Sequence, residues 1–333
     1  MATLLLAIAT SSPFFSVSQS AATAREHRSP TPLLIEPTDG FRPVYSFISS
    51  AKKSLAMVMY ELNDATAERS LVADEHRGVN VRVVLDRAYH GGSYNARAFR
   101  YLSSQGVHVR WAPADTIVHE KSIVVDDKRA LIATFNLANT SDYYATTRDF
   151  GVFDSNREDV AAITRVFDSD WSGRPISQPP PADRGSDLVW SPGSEPVLAS
   201  VIARAQRTLV IESEEMSDAR IISALAGAAR RGVDVEVAMT ADSSWAPGFD
   251  ELSRAGVHVR TYSYYANPYI HAKVVVADAG LPDEVMFLGS ENFSYASLDY
   301  NRELGLITRD GPLIAAVNRT VRADFSRARP WTR

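Results

Sequence analysis

Cysteine is absent from all 333 residues, which excludes disulfides, thiolate nucleophiles and cysteine-ligated zinc. A chain without thiols also suits export to an oxidising compartment. An excess of positive charge is missing as well: 35 lysines and arginines stand against 40 aspartates and glutamates, a net charge of −5. General nucleic-acid binders are usually basic, so this balance points away from one, although it is compatible with a local cationic pocket. No His-x-x-x-His pair and no carboxylate cluster at ligand spacing occurs, so neither a metal site nor a cofactor is expected. Long apolar runs are lacking too. The uncharged opening "MATLLLAIATSSPFFSVSQSAATA" is broken by Pro13 and is too short to span a bilayer comfortably, and nothing later resembles a transmembrane segment. It ends in Ala22-Thr23-Ala24, a small-x-small cleavage pattern, although its start lacks the usual lysine or arginine. Residues 1–24 are therefore expected to be a signal peptide, and the protein to be secreted or periplasmic.

What is present is an ordinary globular composition, 45% hydrophobic and 23% charged, written twice. "FISSAKKSLAMVMYE" (Phe47 to Glu61) returns as "VIARAQRTLVIESEE" (Val201 to Glu215). "EHRGVNVRVVLD" (Glu75 to Asp86) returns as "AARRGVDVEVAM" (Ala228 to Met239), and "SSQGVHVR" (Ser103 to Arg110) as "SRAGVHVR" (Ser253 to Arg260). "FDSDW" (Phe167 to Trp171) is echoed by "VRADF" (Val321 to Phe325). The order and displacement agree throughout, so the chain is a tandem duplication. The halves are expected at 25–172 and 188–333, joined by a proline-rich surface linker at 173–187. Within each half, apolar residues at helical spacing precede a β-rich run. Asp64 or Asp218 then stands where a helix N-cap belongs, and Gly78 or Gly232 where that helix should stop. A second buried strand follows. This alternation predicts an α/β unit with a largely parallel core, and strands succeeding one another late in each half predict a mixed sheet.

The late segments carry the chemistry. "TIVHEKSIVVDD" (Thr116 to Asp127) matches "PYIHAKVVVAD" (Pro268 to Asp278), each with His-x-Lys, four residues, then Asp: His119, Lys121, Asp126 and His271, Lys273, Asp278. "ATFN" (Ala133 to Asn136) and "GSEN" (Gly289 to Asn292) come next, then "TRDFGVF" with Asp149 and "NRELGLI" with Glu303. Residues two apart on a strand share a face, so each histidine and lysine project together. Packing about an internal twofold would bring the two pairs into one site. Lys121, Lys273, Asn136 and Asn292, with the hydroxyls of Thr134 and Ser290, would form a donor array suited to a phosphoryl group. Two imidazoles suit a two-step displacement, one attacking phosphorus while the other protonates the leaving oxygen. Each imidazole then needs a carboxylate or carbonyl on its far nitrogen, which Asp149 and Glu303 could supply.

This doubled pattern resembles the phospholipase D superfamily, over nearly the whole chain after its leader. The resemblance implies two tandem α/β units, each a mixed sheet flanked by helices, packed about a pseudo-twofold axis. It implies one metal-independent phosphodiesterase site with a phosphohistidine intermediate. On the same basis His119 and His271 are nucleophile and acid/base, with His119 preferred as nucleophile. Lys121, Lys273, Asn136 and Asn292 would bind phosphate, Thr134 and Ser290 would support it, and Asp149 and Glu303 would orient the histidines. Asp126 and Asp278 would be mainly structural, which agrees with the turn-forming habit of aspartate. The first half departs from the pattern in having Ala133-Thr134 for Gly-Ser; alanine fits there if φ stays negative.

His108 and His258 alternate with valines in short strands and read as structural histidines. Glu61 and Glu215, at matching strand ends, are candidates for lining the pocket or for solvation. The tyrosine-bearing loops Tyr89 to Asn95 and Thr261 to Tyr269 are where specificity would reside. The leading expectation is a secreted phosphodiesterase that cleaves a phospholipid at a membrane surface, with a monomer sufficient because both motifs lie in one chain. A nuclease is the first alternative, disfavoured by the acidic balance. The second is cardiolipin-synthase-like phosphatidyl transfer, for which the missing membrane helices are unhelpful. A non-enzymatic phosphate binder would have no need of paired histidines.

Overall fold

The computed structural model describes residues 33–139 and 143–332. The expected signal peptide at 1–24 lies outside the described residues. Each half is built on a mixed sheet. The first runs in the order Leu33–Glu36, Thr147–Asp154, Arg129–Ala133, Lys121–Val125, Ser54–Met59, Asn80–Leu85, His108–Trp111. The last three strands are parallel and the rest antiparallel. The second sheet repeats this plan as Leu188–Ser191, Glu303–Thr308, Val285–Gly289, Val274–Ala277, Thr208–Glu212, Asp234–Thr240, His258–Tyr262, with Arg329–Pro330 added at its edge.

The local signals act as expected of them. Asp64 accepts from the amides of Thr66 and Ala67, and Asp218 from those of Arg220 and Ile221, capping the helices Ala65–His76 and Ala219–Arg230. Gly78 and Gly232 follow those helices with φ of +87° and +89°, a region open to glycine without strain.

The halves share a core. The helices Arg157–Trp171 and Gly311–Arg327 contribute Val160, Ile163 and Phe167, and Ile314, Val317 and Val321, to a single apolar cluster. That cluster also holds Val58, Val124 and Ile132 of the first sheet and Val210, Val274 and Leu288 of the second. Backbone pairing crosses between the sheets as well. Tyr269–Ile270 runs parallel to Thr147–Asp154, setting Ile270 opposite Arg148, and Val118 forms the matching parallel bridge with Arg302.

Two buried ion pairs repeat the exchange. Arg148 of the first half is bonded by Nε to Asp324 at 2.5 Å, and Arg302 of the second to Asp170 at 2.9 Å. Breaking a buried pair from one side leaves an uncompensated charge. Asp170→Ala is expected to destabilise the protein by roughly 3–5 kcal/mol in urea unfolding, and Asp170→Leu with Arg302→Met to recover most of that loss. A loss below roughly 1 kcal/mol for Asp170→Ala, the level of a surface pair, would show that the bridge does not hold the halves together.

Candidate active site

Each histidine is delivered by its own half and oriented by the other. The His119 and Glu120 amides both donate to the Arg302 carbonyl, at 2.9 and 3.0 Å, and those of His271 and Ala272 to the Arg148 carbonyl, at 3.2 and 3.0 Å. This registers each histidine against the residue preceding the other half's acid. The rings then meet those acids: His119 Nδ1 lies 2.7 Å from Glu303 Oε2, and His271 Nδ1 lies 2.9 Å from Asp149 Oδ1. A carboxylate on Nδ1 fixes the hydrogen there and leaves Nε2 as the reactive edge. Both rings line one cavity of about 760 Å³, together with Asn136 and Asn292. The lysines stand behind them, almost entirely buried, with Nζ donating to the carbonyl of the histidine two residues earlier in the chain.

The electrostatics follow from burial. Burial pushes His119 from 6.5 down to about 4 against the pull of Glu303, so the ring is neutral at ordinary pH. Burial likewise lowers Lys121 to about 7, opposed chiefly by Glu303, so an anion arriving beside it restores its charge. Burial would raise the Glu303 carboxyl, but His119 and Lys121 outweigh it and hold the group below its ordinary value. The second carboxylate oxygen of Glu303 accepts from Ser297 Oγ at 2.6 Å and Asn301 Nδ2 at 3.2 Å, while Asp149 accepts from Thr134 Oγ1 at 2.5 Å and Tyr143 at 3.0 Å. Asn136 Nδ2 donates to Glu61 at 3.2 Å, and the Oδ1 atoms of Asn136 and Asn292 are buried without a protein partner among the described residues.

The motif aspartates lie elsewhere. Asp126 sits at φ +54° and accepts from the amides of Lys52, Lys53 and Ser54; Asp278 sits at φ +53° and accepts from Gln206, Arg207 and Thr208. Each ties the turn after its His-x-Lys strand to the start of the central strand. Thr134 and Ser290 do not join the donor array expected of them. Both are completely buried, and their oxygens accept from the amides of Phe150 and Leu304, bracing the acid strands from behind. Gly289 is required by close approach rather than by φ: a Cβ there would collide with Glu291 Oε2 and lie 2.5 Å from the Gly305 Cα. His108 and His258 are exposed on outer strands, not packed in the core, and line no part of the cavity.

Of the residues expected from sequence, the histidines and asparagines line the cavity and the lysines and acids contact the histidines from behind; sequence reasoning missed their neighbours. Tyr143 reaches both Asp149 and His271 Nδ1, the latter at 3.1 Å. Tyr60 packs edge-on against His119 with ring centres 4.5 Å apart, and Glu214 lies 2.8 Å from Lys273 Nζ. Aligning "MYE" with "SEE" just after the repeated strand would have exposed the last two as unlike residues at one place.

The family model described as "Cardiolipin synthase, PLD-like domain" matches the chain twice, over residues 44–171 and 198–327. Cardiolipin synthase A of Pseudomonas entomophila is 26% identical over 90% of this chain and 69% of its own length. The major cardiolipin synthase ClsA of Bacillus subtilis is 26% identical over 88% of this chain and 68% of its own. Among solved structures, phosphatidylserine synthase of Haemophilus influenzae superposes with a TM-score of 0.66 at 16% identity, covering 91% of this chain and 87% of that one. Polyphosphate kinase of Porphyromonas gingivalis superposes with 0.70 at 16% identity, covering 88% of this chain and half (50%) of that one. These superpositions speak to the fold alone. With the family model matched in both halves, the chain belongs to the PLD-like domain family of the phospholipase D superfamily.

Proposed function

We propose that the protein is a phosphatidyltransferase of cardiolipin-synthase type, moving a phosphatidyl group from one alcohol to another through a phosphohistidine. The observation that carries the reading is the crossed pair of histidine–carboxylate contacts opening on one cavity. Similarity to cardiolipin synthases favours transfer over the hydrolase expected from sequence. Hydrolysis is then the same second step with water as acceptor.

In this reading neutral His119 attacks phosphorus through Nε2, and His271 Nε2–H protonates the departing oxygen. The incoming alcohol gives its proton back to His271 Nε2 as its oxygen bonds phosphorus, and the P–N bond to His119 breaks. Lys121, Lys273, Asn136 and Asn292 hold the phosphoryl oxygens, and Asp149 and Glu303 fix the two tautomers. A nuclease is disfavoured by the cavity wall, where Glu61, Glu214 and Glu215 would face the flanking phosphates of a nucleic acid while the two lysines stand buried behind the histidines. No described helix is long and apolar enough to cross a membrane. From the similarity to cardiolipin synthases we infer that substrate is met at a lipid surface. One chain holds both halves of the site, and a monomer suffices. Export also belongs to this proposal, and N-terminal sequencing of the mature product tests it.

Purified protein is expected to convert phosphatidylglycerol in mixed micelles to cardiolipin and glycerol in the presence of EDTA, with phosphatidic acid as a minor product. Phosphatidic acid as the sole lipid product would restore the hydrolase. Cleavage confined to single-stranded DNA and steeply suppressed by salt would establish the nuclease.

A further inference from the structure

Among the places where the twofold equivalence of the site fails, one puts opposite chemistry beside the two histidines. Tyr60 follows the strand Ser54–Met59 and lies two residues before the Leu62–Leu137 bridge, while Glu214 follows Thr208–Glu212 and lies two residues before the Met216–Phe293 bridge. They are the same position in the two halves. On the first side an aromatic ring faces His119, with Lys121 Nζ 4.8 Å above its centre. On the second a carboxylate does the facing: Glu214 Oε2 is 2.8 Å from Lys273 Nζ and 3.4 Å from His271 Nε2, and Oε1 accepts from the Tyr269 hydroxyl at 3.2 Å. Burial would raise the Glu214 carboxyl, but His271 and Lys273 hold it far below the ordinary carboxylate value, so the negative charge is permanent.

A fixed anion at the reactive edge of His271 repels phosphoryl oxygens, which settle toward His119. What it faces is the alcohol exchanging its proton with His271 Nε2. We propose that Glu214 is a specificity-determining residue that selects alcohols bearing a second hydrogen-bond donor on the carbon adjacent to the one that carries the reacting hydroxyl. A 1,2-diol or a 2-amino alcohol presents its reacting hydroxyl to His271 and its neighbouring donor to Glu214. A simple alcohol displaces water from the carboxylate and offers it no bond beyond those to Lys273 and Tyr269. This inference rests on the transferase reading above, because it concerns the acceptor of the phosphohistidine.

The test is a partition experiment on the full chain. Phosphatidyl-p-nitrophenol in nonionic micelles loads the enzyme without needing an acid, and equimolar glycerol, 2-aminoethanol and 1-propanol compete for the intermediate. Phosphatidylglycerol or phosphatidylethanolamine is expected to exceed phosphatidylpropanol by about 10- to 100-fold, the span of a hydrogen bond to a charged group. The ratio of those two products tells whether the diol or the amino alcohol is preferred. Glu214→Leu should bring all three within a few-fold, with Glu214→Gln between. Even partition by the wild type overturns the inference, and so does an unchanged ratio in Glu214→Gln; neither needs the leucine variant to fold. A wild type that releases no p-nitrophenol overturns the transferase reading itself, and this inference with it.

Discussion

His119→Ala is expected to lose turnover by more than about 10⁴-fold, beyond what removal of a general acid alone costs. His271→Ala should lose about 10²–10⁴-fold on a natural lipid, the worth of acid–base catalysis. The two variants part company on phosphatidyl-p-nitrophenol. Its leaving group departs unprotonated, so His271→Ala should still release one equivalent of p-nitrophenol and then stall with the phosphatidyl group on His119. His119→Ala should give no burst. The reason lies in the environments: burial holds His119 neutral, with its pKa near 4 against an ordinary 6.5, whereas His271 has a carboxylate at each ring nitrogen. Nucleophilic competence should therefore persist to about pH 5 in single-turnover experiments. The same shift acts on stability. Between about 6.5 and 4 the unfolded chain takes up a proton that buried His119 refuses, so this residue destabilises the fold as pH falls through that window. A label trapped on His271 in the His119→Ala protein would reverse the assignment.

The duplication made much of this legible. A pattern that recurs once can be chance, but His-x-Lys-x4-Asp recurring with its asparagine and its acid in one order constrains both fold and site. The caps and helix-ending glycines were visible because Asp64, Asp218, Gly78 and Gly232 act on backbone a few residues away. The crossing of acids to opposite histidines was not visible. It depends on Arg148 and Arg302 carbonyls aligning strands from different halves, a contact more than a hundred residues long in sequence. The bonding of the hydroxyls was hidden for a related reason. Strand alternation places Thr134 and Ser290 near the site, but only the packed structure shows that their oxygens are already bonded to Phe150 and Leu304. Twofold reasoning also hid Glu214, since a repeat directs attention to what the halves share.

The crossed pairing yields a second large effect with a sign that differs between the halves. Glu303→Gln offers His119 Nδ1 an amide that can donate, which favours the tautomer carrying hydrogen on Nε2, the atom that must attack. Loss of about 10²–10⁴-fold is expected in the burst phase. Asp149→Asn keeps its carbonyl oxygen on Thr134 Oγ1, so the same oxygen still faces His271 Nδ1, but it removes the charge that supports His271 in acid–base work, a role the p-nitrophenol burst does not need. Its burst should survive and its steady state should fall, because the second step needs Nε2 as a proton acceptor. Thr134 and Tyr143 both donate to Asp149, so an asparagine keeps a partner for its carbonyl oxygen and the site need not collapse. If each acid instead served the histidine of its own half, the two phenotypes would exchange: Asp149→Asn would lose the burst and Glu303→Gln would keep it. Burst kinetics on the two single variants thus read which half orients which imidazole, in solution and during turnover.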